Sequence, residues 1–197
     1  MEYLLRFLTF WLKLLAILLA LALVGAFVFL FSMDSTNINT ILSEGMKTRA
    51  ESVIIGGEQE EITDTLSKFF TWDFLSSDEM IQNTDYNRFV VRSIQHRLKV
   101  EWVCAMPWDT VTEATVVEEV PAIDGELPKN NYTEEEEASG EKVLPPDWPH
   151  ARYKVRLVRS EERWKIDKVE LIETIEDAVA TPLPSQTPEA QQTPAAE

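Results

Sequence analysis

The chain has 197 residues, with 34 acidic and 18 basic side chains and a formal charge of -16. A surface this acidic repels nucleic acid over most of its area, so nucleic acid is not an expected partner. The single cysteine, Cys104, excludes an intrachain disulfide, and the fold must rest on an ordinary apolar core.

From Leu14 to Met33 there is no charged residue: LLAILLALALVGAFVFLFSM. A bilayer core of roughly 30 Å takes about 20 apolar residues as a helix. Lipid offers backbone amides no water, so such a run must be helical. Upstream, Glu2, Arg6, Thr9 and Lys13 recur at spacings of four, three and four, which places them on one helical face. Tyr3 and Trp11 suit the aromatic belt of a membrane interface, and Arg6 and Lys13 can reach headgroups from there. Residues 1–33 therefore read as a signal anchor that crosses the membrane once, with residues 3–33 in contact with lipid. Lys13 is the basic residue closest to the run, so the N-terminus is expected inside and the long C-terminal part outside a bacterial cytoplasmic membrane. The competing reading is a cleaved signal peptide, which has an apolar core of about 7–15 residues followed by a small-x-small site. Ala20-Leu21-Ala22 has the small residues, but LVGAFVFLF still follows it.

Beyond the anchor, 33 acids and 16 bases remain, a charge of -17. Residues 34–57 read as a juxtamembrane stalk helix or as the first helix of the domain. Ile38, Ile41, Leu42 and Met46 have helical spacing, Asp34 or Ser35 is the expected cap, and Gly56-Gly57 breaks the chain. Residues 58–75 form the strongest amphipathic pattern, with Ile62, Leu66, Phe69, Phe70 and Phe74 on one face. Short helices are expected around 78–82 and 85–91.

Near Ser93 the period changes to two. Leu98, Val100, Trp102 and Cys104 alternate with Arg97, Lys99, Glu101 and Val103, as in a half-buried strand ended by Pro107. Cys104 shares the apolar parity and reads as a small core residue. Residues 111–120, rich in Val and Thr, are a second strand. Tyr153, Val155 and Leu157 mark a third, and residues 163–172 a fourth. In the fourth, Trp164 and Ile166 share one parity while Val169 and Leu171 take the other. A bulge near Asp167-Lys168 would return both pairs to one face and bend the sheet. Between the strand pairs, residues 124–150 read as a mobile acidic insertion containing Glu134–Glu137. Residues 177–197 are rich in Pro, Ala, Gln and Thr and read as a disordered tail.

Helices followed by a bent antiparallel sheet make an α+β class. Residues 58–176 read as one α+β domain, and this order, with WKIDKVELI near the end, resembles the nuclear transport factor 2-like (cystatin-like cone) fold over about residues 58–173, with the acidic loop as an insertion. That resemblance implies helices packed into a strongly curved sheet. The single span, the segment LSKFFTWDF and the domain after it are also similar to inner-membrane subunits of conjugation and type IV secretion machines. The implied role is a non-enzymatic scaffold that binds protein partners or associates with itself.

Two groups of residues stand out as candidate sites. Trp72, His96, Trp102, Tyr153 and Trp164 can line a pocket for a small apolar ligand, or simply pack helices on the sheet. In enzymatic branches of the resembled fold, a pocket His performs acid–base chemistry, a role an imidazole can fill near neutral pH, so His96 is a candidate; it also reads as a strand-end His with no catalytic role. Arg97, Lys99, Arg152, Lys154 and Arg156 share polar strand faces, either as a solvated outer surface or as a partner surface under the acidic insertion. Trp108 and Trp148, beside prolines in loops, are candidates for an exposed contact surface. There is no Cys/His cluster at zinc-ligand spacing, no phosphate-binding Gly-rich loop and no Gly-x-Ser-x-Gly, so no metal, cofactor or catalytic residue is assigned.

Overall fold

The computed structural model describes residues 2–82, 84–161 and 163–175. Its first element is one helix, α1 (Glu2–Ile54), of 53 residues. At 1.5 Å per residue this helix is about 80 Å long. Among the described residues it contains the one stretch that is long and apolar enough to cross a membrane, none of it buried by protein. No cap interrupts it at Asp34 or Ser35. The side chain of Asp34 instead pairs with Arg159 at 2.7 Å. The expected stalk is therefore the C-terminal part of the same helix, and it is also the first helix of the domain. Ile38, Leu42, Met46, Ala50 and Val53 form a buried stripe at spacings of four and three. Gly56 ends the helix with φ +76°, a left-handed conformation that glycine adopts without a Cβ penalty.

The amphipathic segment expected at 58–75 is two helices, α2 (Gln59–Leu66) and α3 (Trp72–Ser77). Between them the backbone pairs with the sheet: Thr71 N–H donates to Ile166 O at 2.9 Å, and Ile166 N–H donates to Phe69 O at 2.7 Å. Thr71 then caps α3 by accepting from Phe74 N–H. Leu66, Phe70 and Phe74 are all buried, so the apolar face is real although the helix is broken. The short helices expected next reduce to turns and a 3-10 helix at Asp85–Arg88.

Four antiparallel strands follow in the order of the chain: β1 (Val90–Val103), β2 (Val111–Glu126), β3 (Ala151–Ser160) and β4 (Arg163–Thr174). The sheet is open. Helix α1 packs most closely against its two edge strands, β1 and β4, so the sheet curls around the helix. Bulges make that curl. On β4 the register skips Asp167, which is the irregularity the parity change demands. On β1 it skips Arg92 and Glu101, and β2 sets Val120 and Pro121 against His96 alone. A mid-strand proline is tolerable at such a bulge.

The acidic insertion, expected as a mobile loop, carries regular secondary structure. Strand β2 runs into it as far as Glu126, and Leu127 and Trp148 are buried. Glu134–Ser139 forms a helix, α4, with a capping box between Thr133 and Glu136 and a left-handed Gly140 at its end. The expected disordered tail at 177–197 lies outside the described residues.

Candidate functional site

The C-terminal part of α1 carries one cation on its buried stripe, Arg49. Burial of a guanidinium requires a partner. Asp78, at the end of α3, supplies it in a fork: Nε to Oδ2 at 2.5 Å and Nη2 to Oδ1 at 2.9 Å. The guanidinium carbon also lies 5.8 Å from the ring centre of Phe74 and 5.9 Å from that of Trp148. Burial works to lower the Arg49 pKa, but the hydrogen bond and charge of Asp78, helped by Glu118 and Tyr153, leave it raised.

A second buried pair stands on the sheet. His96 Nε2 lies 3.0 Å from Glu118 Oε1, with both side chains almost wholly buried. His96 therefore has the partner that its own neighbourhood in the sequence does not supply. Glu118 Oε2 and Arg49 Nη1 are buried with no hydrogen-bond partner among the described residues. Tyr153 on β3 adjoins both pairs. Its burial first, and the charge of Glu118 second, push the phenol up to about 12.

A cleft of about 550 Å³ opens beside this cluster, lined by Arg49, Phe74, Asp78, Met80, Tyr153 and Lys168, among others. His96 and Glu118 are not among its lining residues. The cleft thus brings the paired charges of Arg49 and Asp78 together with apolar groups such as Phe74, Met80, Val169 and Leu171. That combination suits reversible binding of a small polar-and-apolar group.

The expected pocket set is only partly assembled. His96 and Tyr153 meet at the cluster. Trp164 is buried at the other end of the sheet, where its ring faces Arg159 at 4.7 Å. Trp72 and Trp102 do not line the cleft; they are 70% and 59% exposed. Trp102 is turned out by the bulge at Glu101, which brings Val103 onto the core instead. Cys104 is half-buried rather than enclosed. Arg49, Asp78 and Glu118 were not singled out from the sequence. Two of them carried a signal: Glu118 has the parity of Thr112, Ala114, Val116 and Val120, and Arg49 falls on the stripe of α1.

The basic surface is not bare. Arg152 pairs with Glu101 and Glu173, Lys154 with Glu113 at 2.8 Å, Arg156 with Asp167 at 3.7 Å, and Arg97 with Glu119 at 3.9 Å. Lys99 lies on the same face of β1. The acidic insertion does not cover it: Glu136 pairs with Arg88 at 2.7 Å, and Asn131 donates to Arg88 O. Trp148 is buried, whereas Trp108 is 68% exposed. At the other end of the chain, Tyr3 and Trp11 are exposed along α1. Among the described residues, no group of three or more His, Cys, Asp or Glu side chains is placed to hold a metal ion.

No family model, no curated protein and no solved structure matches the chain.

Proposed function

We propose that this is a single-span protein that holds an acidic α+β domain at the outer face of a bacterial cytoplasmic membrane, and that the domain works by binding and assembly. One observation carries this reading: the apolar run and the core of the domain lie on one unbroken helix, α1. A domain joined to its anchor without a hinge is held at a fixed height and orientation, which suits a building block better than a tethered enzyme. The curl of the sheet around α1 supports a nuclear transport factor 2-like half-cone. A subunit of a conjugation or secretion machine is the most concrete version of the role. Membrane lipid is the partner along residues 3–33, and protein partners or further copies meet the mixed-charge outer face that includes Arg97, Lys99, Arg152, Lys154 and Arg156.

A second reading rests on the cleft beside Arg49, which has room for a small ligand. Site-directed photocrosslinking in intact cells separates the two. Probes replacing Lys99 and Lys154 should give discrete higher-mass products, and Met80→Trp, which fills the cleft, should leave them unchanged. Loss of the products in Met80→Trp favours the ligand reading, and no product from any outer-face probe removes the assembly reading. Orientation is checked in the same cells with Glu137→Cys in a Cys104→Ala background. A membrane-impermeant maleimide should label it without lysis.

A further inference from the structure

The loop between β1 and β2 descends past the end of the domain toward the apolar run of α1. Its sequence is Cys104-Ala105-Met106-Pro107-Trp108-Asp109-Thr110. The height of the loop is fixed by Arg159. That guanidinium donates to Pro107 O at 3.1 Å and pairs with Asp34 at 2.7 Å, and the Arg159 N–H donates to Thr110 O at 2.8 Å. Asp34 is the first charged residue after the charge-free run, so the loop is fastened at the level where that run ends. Trp108 continues beyond this fastening. Its ring centre lies 5.9 Å from that of Phe27, which belongs to the run itself. Phe27 precedes Asp34 by seven residues, about 10 Å along the helix axis.

The tip is composed for such a place. Met106, Pro107 and Trp108 are apolar or amphipathic, and Trp108 is largely exposed. The carboxylate of Asp109 is turned back to accept from Met106 N–H at 2.8 Å. An indole offers a broad apolar body and one N–H donor, which matches the boundary between headgroups and acyl chains.

We infer that the β1–β2 loop is a second membrane contact, with Trp108 seated at the headgroup–acyl boundary of the lipid that surrounds α1. This rests on the reading of α1 as a span, and the occupant is lipid because the contact is continuous with the span. The loop and the helix then grip the bilayer at two points, which stops the domain from rotating or tilting about its anchor.

The test uses the full chain in phosphatidylcholine vesicles with and without brominated acyl chains. In a Cys104→Ala background, an environment-sensitive fluorophore is attached at Leu18→Cys, Trp108→Cys or Glu137→Cys. Labels at 18 and 108 should lose most of their emission to the brominated lipid, and the label at 137 should keep it. If 18 is quenched and 108 stays as bright as 137, the loop contact is wrong while the span stands. If 18 is also unquenched, both fall. Blue-shifted emission at 108 that depends on protein density, without quenching by brominated lipid, means that a second copy covers the loop, and this overturns the proposal. The label itself is controlled with native fluorescence: Trp108→Phe should show less bromine quenching than the unsubstituted chain, and equal quenching counts against the contact.

Discussion

At the scale of single residues, the most consequential group is the guanidinium of Arg49. Replacing it with Met leaves Asp78 buried without its partner and should cost about 3–5 kcal/mol in denaturant unfolding. Adding Asp78→Leu should recover much of that loss, because an apolar pair no longer strands a charge. A double variant as unstable as the single one means that the pair is not coupled as its fork geometry indicates. Tyr153 gives a pH-dependent counterpart. Its phenol is held neutral up to about 12, against 10 in the unfolded chain. The raised value adds stability that is complete below pH 10 and disappears as the pH rises through 12. Tyr153→Phe should therefore flatten the alkaline loss of stability in that window and remove the last phenol to ionise from an absorbance titration. An unchanged titration would place that late phenol elsewhere. These groups also mark the limit of reading residues from sequence. His96 is visible in the sequence, but its partner Glu118 stands beside Glu119 and just before the acidic insertion, and only its parity puts it on the core face of β2. Arg49 and Asp78 are 29 positions apart, and nothing local joins them.

At the scale of elements, the bulges decide which side chains face α1. The one at Asp167 was legible because two apolar pairs of opposite parity leave a single repair. The one at Glu101 was not, because Trp102 and Val103 are both apolar and either parity makes a sensible strand. The break between α2 and α3 was also hidden: Phe69, Phe70 and Thr71 continue a helical pattern, and only the edge of β4 explains why they leave it. The same crossing sets how close α1 comes to the sheet. A Cβ added at Gly45 would lie 3.1 Å from Ile166 Cδ1 and 3.1 Å from Phe69 Cβ. Gly45→Ala should be nearly neutral, since the gain in helix propensity of about 1 kcal/mol offsets a small displacement of those side chains. Gly45→Leu cannot be accommodated so cheaply and should lower stability by about 1–3 kcal/mol. Thermal unfolding of the two variants checks the contrast. Equal stabilities mean that α1 and β4 are further apart than described.

At the scale of the whole molecule, the continuity of α1 makes a mechanical claim. Broken helices and glycine-rich linkers let a domain wander above its anchor, whereas an unbroken helix transmits orientation over its full length. Residues 34–54 cannot be a passive stalk, because Ile38, Leu42 and Met46 are fully buried in the domain core. On the reading of the apolar run as a span, tilting it tilts the sheet as well. The tie from Asp34 to Arg159 and the approach of Trp108 to Phe27 oppose any residual swivel. Spin labels at Leu23→Cys in the span and Glu137→Cys on α4, with Cys104→Ala, measure this directly. The unsubstituted linkage should give one narrow distance distribution in vesicles. A Gly-Ser segment inserted after Met33 should broaden it while leaving far-ultraviolet circular dichroism and the unfolding transition of the domain intact. A native distribution as broad as that of the insertion variant means that the helix bends freely at the membrane surface, and the fixed presentation on which the assembly reading depends is then lost.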